Sequence, residues 1–225
     1  MKFSIIIPAR NEEAYLAKTL KSIENQNYPE YETIVVANGC VDNTVAVAKK
    51  YADHVYSIKK PGVSRARNLG AKKAKGEILV FLDADTTIHP SALKVIKSQF
   101  SQKYSSGTLK VKPDKPKLKY QLMMGFKNLV NTFNLYHWTA GIIYCRQSDF
   151  QKTQGFNENL HVRENSFFVK HLKKYGRFQF LRNTHVTTAM RRFDKCGAFS
   201  IIWFYISKWF KGPKNIEKDK YPLVR

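Results

Sequence analysis

The chain has 225 residues, 43% of them hydrophobic, which suffices for one substantial core and favours one domain over two independent ones. Thirty-nine Lys and Arg against 17 Asp and Glu give a net charge of +22, which calls for a polyanionic partner: nucleic acid, an anionic membrane surface or a phosphate-rich substrate. Cys40, Cys145 and Cys196 are odd in number, widely spaced and without a CxxC pair, which argues against a disulfide framework or a zinc site and for a reducing cytoplasm.

The first apolar run, residues 3–7, meets Pro8 and is too short for the core of a secretory signal. Residues 2–7 and 33–37 are β-branched apolar runs, and between them residues 14–25 place Leu16, Leu20 and Ile23 at helical spacing, which predicts a β-α-β unit. Residues 44–51 predict a second helix, 53–58 a third strand, 64–75 a third helix and 77–82 a buried fourth strand. This alternation predicts an α/β fold with a mainly parallel sheet and helices on both faces. Residues 103–119, rich in Lys and Pro and without apolar periodicity, read as an exposed connection. Leu122, Met123, Phe126, Leu129, Val130, Phe133 and Leu135 then predict a helix over 120–138, followed by a strand at 141–145 and a helix near 165–175. The most apolar C-terminal stretch, residues 198–210, carries Lys208 and falls short of the roughly 18 to 20 apolar residues of a membrane span.

The most informative segment is the strand that runs into Asp83-Ala84-Asp85. Residues two apart in extended chain point the same way, and ligands collect at the carboxyl ends of strands in open α/β sheets. Two carboxylates so placed suit Mg²⁺ or Mn²⁺, although a loop capping a following helix would use the same residues. Arg65 and Arg67, at a predicted helix start beside that strand, suit bidentate contacts to a diphosphate. Glu13 fits a solvated first helical turn as well as a site, and Glu12 is the better candidate for a ribose or base contact.

Five blocks stand in order: Ile5-Ile6-Ile7-Pro8-Ala9-Arg10-Asn11-Glu12-Glu13, Val35-Val36-Ala37-Asn38-Gly39-Cys40-Val41-Asp42-Asn43-Thr44, Arg65-Ala66-Arg67-Asn68-Leu69-Gly70, Gly76-Glu77 and Asp83-Ala84-Asp85. Together they resemble glycosyltransferase family 2, strongly over residues 3–90 and more loosely at Gly155-Phe156-Asn157-Glu158, Glu164-Asn165 and residues 188–193. The resemblance implies a GT-A fold: a Rossmann-like, mainly parallel central sheet flanked by helices, with a C-terminal acceptor-side half. On this reading residues 1–225 form one domain, with a nucleotide-sugar half at 1–102, an acceptor side at 103–197 and an aromatic, basic segment at 198–225.

The implied activity is metal-dependent, inverting transfer from a nucleoside-diphosphate sugar to a glycan, lipid or polyprenyl-phosphate acceptor. The implied donor site is Pro8, Ala9, Arg10, Glu12, Asn38, Arg65, Asn68, Asp83, Ala84 and Asp85, with Asp42 behind Asn38 and the metal on Asp83 and Asp85. Asn38 stands where Asp is frequent, and its amide both donates and accepts hydrogen bonds. The implied base is Glu164, followed by Asn165 in place of an acid; a phosphate acceptor would need no base. Arg191 and Arg192 match a basic motif near the diphosphate, with Arg192 preferred. Trp138 suits a sugar-stacking platform or the core, and His137 and His185 read as structural.

Trp203, Trp209 and Phe210 beside Lys208, Lys211 and Lys214 fit either an interfacial helix or a core helix. Localisation is accordingly expected in the cytoplasm, with peripheral contact at the inner face of the membrane. Two other readings compete: a catalytically impaired nucleotide-sugar-binding relative, motivated by Asn165, and a basic nucleic-acid-binding protein. The second lacks an RNP motif, zinc-finger spacing or a Gly-rich KH loop, so no nucleic acid is expected. A dehydrogenase and a P-loop NTPase are disfavoured by the absence of GxGxxG and GK[ST] signatures.

Overall fold

A computed structural model describes residues 1–135, 137, 139–197 and 207. Strand β1 (Phe3–Ala9) is buried throughout, its Phe3, Ile5 and Ile7 facing one apolar cluster and Ile6 the other, as expected of a mid-sheet strand covered on both faces. Helix α1 (Glu13–Glu24) buries Leu16, Leu20 and Ile23. Strand β2 (Tyr31–Asn38), helix α2 (Thr44–Tyr51), strand β3 (His54–Ile58), helix α3 (Val63–Lys73) and strand β4 (Ile78–Leu82) complete a parallel half. In it β2 and β4 flank β1, and β3 lies outside β2. The chain order therefore reverses at β1, so the carboxyl ends of β1 and β4 form the crevice in which open α/β sheets bind ligands.

The chain continues through β5 (Thr86–Ile88), α4 (Ala92–Gln99), β6 (Tyr104–Pro113), α5 (Leu118–Thr132), β7 (Ile142–Arg146), α6 (Gln147–Gln151), α7 (Glu164–Leu172), β8 (Arg177–Thr188) and α8 (Arg191–Cys196). One eight-stranded sheet, in the order β3-β2-β1-β4-β7-β6-β8-β5, spans both halves. Strands β6 and β8 are parallel, whereas β4–β7, β6–β7 and β5–β8 are antiparallel.

One expectation is corrected. Residues 103–119 are not an exposed connection: most of that stretch is β6, which lies inside the sheet between β7 and β8. Its first half, Ser105-Ser106-Gly107-Thr108, is small and polar because the sheet leaves little room there, and a Cβ on Gly107 would stand 2.3 Å from the Tyr144 hydroxyl oxygen. Its second half alternates buried Leu109 and Val111 with exposed Lys110 and Lys112, a period of two submerged in the lysine content.

The apolar residues that space as a helix in α5 do not form its buried face. The helix instead buries Tyr120, Met124, Lys127 and Asn131 and leaves Leu122, Phe126, Leu129 and Phe133 in solvent. Burial pushes the Lys127 amine down to about 7, and its Nζ has no hydrogen-bond partner among the described residues.

Candidate active site

The site begins in the turn after β1. Asn11 takes a left-handed conformation (φ 52°), which an Asn tolerates, and its Oδ1 accepts the Val41 amide at 2.9 Å. Glu12 follows with its side chain buried, its amide donating to Thr44 Oγ1 at 2.7 Å and its carbonyl accepting the Tyr15 and Leu16 amides at the start of α1. Asp42 ties this turn to α2 by accepting the Thr44 amide, the Thr44 hydroxyl and the Glu13 amide. Burial works against its charge, yet those hydrogen bonds outweigh it and hold the carboxyl below its ordinary value.

The Asp83-Ala84-Asp85 turn after β4 is fixed from three sides. The Asp83 amide donates to the Gly141 carbonyl at 2.8 Å, Thr19 Oγ1 of α1 donates to the Ala84 carbonyl at 2.8 Å, and the Ala189 amide, just past β8, donates to the Asp85 carbonyl at 3.2 Å. Gly141 lies at φ 78°, a conformation that favours glycine, and a Cβ there would stand 3.0 Å from Thr86 Cγ2. Helix α1 and the ends of three strands thus hold the two carboxylates.

Two arginines bridge these carboxylates to the rest of the site. Arg67, on α3 and 3% exposed, donates from Nη2 to Asp83 Oδ1 at 2.9 Å, and from Nη1 to Glu164 Oε1 at 3.1 Å and Asn165 Oδ1 at 2.8 Å, while its guanidinium lies 5.2 Å from the Phe156 ring centre. Burial disfavours the Arg67 charge, but Asp83 and Glu164 outweigh it and raise the guanidinium's pKa. Arg191, the first residue of α8, reaches Glu12 Oε1 at 2.6 Å and Asp85 Oδ2 at 2.9 Å and stacks 4.6 Å from the Tyr15 ring centre. Burial pushes the Asp85 carboxyl up to about 6, helped by Asp83 and Glu12 and opposed by Arg191.

Glu164 opens α7 after Arg163, which is left-handed at φ 59°; it is buried, and its Oε2 has no hydrogen-bond partner among the described residues. Non-glycine residues in this conformation immediately before the site's two buried glutamates, Glu12 and Glu164, place backbone strain of order 1 kcal/mol each there. Among the described residues no group of three His, Cys, Asp or Glu side chains is arranged to hold a metal. The donor set nevertheless fits Mg²⁺ or Mn²⁺, because such ions are commonly held by one or two carboxylates with substrate phosphates and water completing the shell. Asp83 and Asp85 supply those carboxylates, and each arginine contact uses one oxygen of each.

Other expected residues take different positions. Asn38 is buried and spends its amide internally, donating to the Ala9 carbonyl at 2.9 Å and accepting the Gly62 amide at 3.1 Å, so it locks the β1, β2 and α3 ends together. Asn68 clamps the Phe156 backbone, donating to its carbonyl and accepting its amide, both at 2.9 Å. Arg65 does not join Arg67: it pairs with Glu158 at 3.2 Å and reaches the Lys60 carbonyl. Pro8 and Ala9 lie in β1, with Arg10 half-buried in the turn that follows.

Of the double arginine, it is Arg191 whose guanidinium enters the carboxylate cluster, while Arg192 lies half-buried in the same helix. No feature of the sequence distinguishes the two, since the choice depends on how α8 leaves β8. The His185 ring lies tilted against His89, centroids 4.7 Å apart, and burial, with Lys112, His89 and Lys110 adding to it, pushes its ring down to about 4. His137 stacks on Phe178 at 4.6 Å. Trp138 and the segment 198–225, Ser207 apart, lie outside the described residues.

The family model for glycosyl transferase family 2 matches residues 4–196, a span that contains every residue of this cluster. The chain belongs to glycosyltransferase family 2. A relative from Staphylococcus haemolyticus, named 4,4'-diaponeurosporenoate glycosyltransferase, is 30% identical over 183 residues, covering 72% of this chain and 48% of the relative. Among solved structures, S. aureus TarS 1-349 in complex with UDP-GlcNAc superposes with a TM-score of 0.69 at 26% identity, covering 84% of this chain and 58% of that one. The mannosyltransferase PcManGT from Pyrobaculum calidifontis, in complex with GDP-Man and Mn²⁺, superposes with a TM-score of 0.73 at 16% identity over 94% of this chain and 65% of that one, a likeness of fold. The GT-A fold expected from the sequence is the fold observed. The chain spans less than two thirds of the length of the curated relatives compared, from 18% to 63%.

Proposed function

We propose that the protein transfers a sugar from a nucleoside-diphosphate sugar to an acceptor hydroxyl with inversion at the anomeric carbon. Residues 1–102 would supply most of the donor site and residues 103–197 the acceptor side. The observation that carries this reading is the pair of arginine bridges, Asp83–Arg67–Glu164 and Asp85–Arg191–Glu12, which join segments far apart in sequence at the crevice where strand order reverses. Two of those carboxylates form the Asp-x-Asp pair and a third is a buried glutamate with one oxygen held in place.

In this reading Mg²⁺ or Mn²⁺ on Asp83 and Asp85 supplies positive charge for the diphosphate. Glu164, oriented through Oε1 by Arg67, takes the acceptor's hydroxyl proton on Oε2 as the acceptor oxygen bonds to the anomeric carbon and the bond from that carbon to the diphosphate oxygen breaks. Arg191, at the edge of the carboxylate cluster, meets the charge that develops on the leaving diphosphate. Asn165 accepts a hydrogen bond from Arg67 and takes no proton. Relatives differ in acceptor, one being named for poly(ribitol-phosphate) and another for the carboxylate 4,4'-diaponeurosporenoate, so a glycan or lipid is the acceptor class proposed here, with Glu164 favouring a hydroxyl on it. A UDP-sugar is the first donor to test, given the UDP-GlcNAc complex of TarS.

Calorimetric titration of UDP-, GDP- and dTDP-sugars with and without Mn²⁺ tests the donor site. We expect one nucleotide to bind in a metal-dependent manner, and Asp83→Asn with Asp85→Asn to weaken that binding at least ~100-fold, about 3 kcal/mol. Absence of binding under every condition would overturn the assignment.

A further inference from the structure

Helix α5 is turned inside out. At 3.6 residues per turn, Leu118, Leu122, Phe126, Leu129 and Phe133 fall within an arc of roughly 80°, and all five are exposed, from 53% at Leu129 to 70% at Leu118. The opposite face carries the buried Tyr120, Met124, Lys127 and Asn131. The helix is pinned in this orientation: the Asn128 side chain accepts the Val111 amide at 3.0 Å and donates to the Val111 carbonyl at 2.9 Å, and Tyr120 Oη donates to Asp194 at 2.6 Å. A row of large apolar side chains in water on one face of a helix marks a contact surface for a partner.

The rim of the stripe says which partner. Lys115, Lys117 and Lys119 are exposed at its N-terminal end, the first two sharing Asp194, and between residues 110 and 135 the sole acidic residue is Asp114. Apolar side chains flanked by lysines match a bilayer interface with anionic headgroups, which accepts the first in its acyl boundary and the second at its surface.

We propose that the exposed face of α5 seats the protein on an anionic bilayer, with Leu122, Phe126 and Leu129 entering the headgroup boundary. The surface is separate from the donor site, and its test requires no transfer reaction.

The test is flotation of the full chain with phosphatidylcholine vesicles, either alone or with about one-third phosphatidylglycerol. Wild type should float with the anionic vesicles, not with the neutral ones, and dissociate as salt rises. Leu122→Ser, Phe126→Ser and Leu129→Ser combined should weaken binding at least ~10-fold with an unchanged thermal midpoint, since these side chains contribute little to the core. The single substitution Phe126→Asp repeats the test with a smaller change to the fold. The proposal fails if wild type ignores anionic vesicles, if the triple variant binds them as wild type does, or if wild type is a dimer in solution that the triple variant dissociates while neither binds vesicles.

Discussion

The crevice around Asp83 and the helix α5 treat charge and apolar surface in opposite ways. In the crevice the buried guanidinium meets carboxylates from other elements: Arg67 has Asp83 and Glu164, and the half-buried Arg191 has Asp85 and Glu12. On α5 a lysine is buried without a partner among the described residues while leucines and phenylalanines face solvent. Burial of charge is tolerated in the first region because opposite charge arrives with it, even though Glu164 Oε2 has no hydrogen-bond partner among the described residues. In the second, neither side of the helix is satisfied by what surrounds it, which is how a surface looks when part of its environment is another molecule.

Arg67 gives the sharpest test of that contrast. Arg67→Met would leave Glu164 buried and Asp83 partly buried without counter-charge, and should cost about 3–5 kcal/mol of stability by urea unfolding. Arg67→Lys should recover less than half of it, because one ammonium cannot reproduce a planar fork that holds Asp83, Glu164 and Asn165 together. A cost below about 1 kcal/mol would mean the bridge is incidental and the crevice no more self-sufficient than α5.

The two regions also differ in how much of them was legible in the sequence. The strands and helices of the parallel half follow simple periodicities, and the Asp83-Ala84-Asp85 turn is announced by an apolar strand ending in two like charges. Glu12, Asp83 and Asp85 sit where strand ends put them, a consequence of topology more than of fine packing. What sequence could not supply was the division of labour between neighbours: Arg67 from Arg65, and Arg191 from Arg192. Those choices rest on the phase of a helix start relative to the crevice, which changes by about 100° per residue. Strand β6 was hidden by its small polar residues, and β8 by a mixture of basic and apolar side chains. In α5 the apolar spacing predicts the helix but not its buried face, because a helix apolar on more than one side does not disclose which side turns inward.

Lys127 offers a way to break the comparison. An unfolded lysine keeps its ordinary value of about 10.4, whereas burial holds the folded amine at about 7. Between those values the unfolded chain binds more protons, so stability should rise with pH through that window and level off below about 7, where both states are charged and the penalty is fully present. Lys127→Met should remove the rise and stabilise the protein at neutral pH by up to about 4 kcal/mol. The readout is the difference in urea midpoint between variant and wild type from pH 6 to pH 10. Parallel curves would show that Lys127 is solvated or paired in solution, and α5 would then lose its claim to be the unsatisfied region.

Arg65 is the smallest and most discriminating case, because the same sequence logic placed it with Arg67 on the diphosphate. It is only partly buried and pairs with a more exposed Glu158, so Arg65→Ala should cost less than about 1 kcal/mol. A double-mutant cycle with Glu158→Ala should give a coupling of the same small size. Donor affinity decides what that pair is for. If Arg65→Ala changes it by less than about threefold, roughly 0.7 kcal/mol, the guanidinium belongs to the clamp around residues 155–158 that Asn68 also holds. A loss of tenfold or more at unchanged stability would mean that Arg65 leaves Glu158 for the phosphates when donor binds. The crevice, too, would then be completed from outside the chain, and the contrast with α5 would be one of degree.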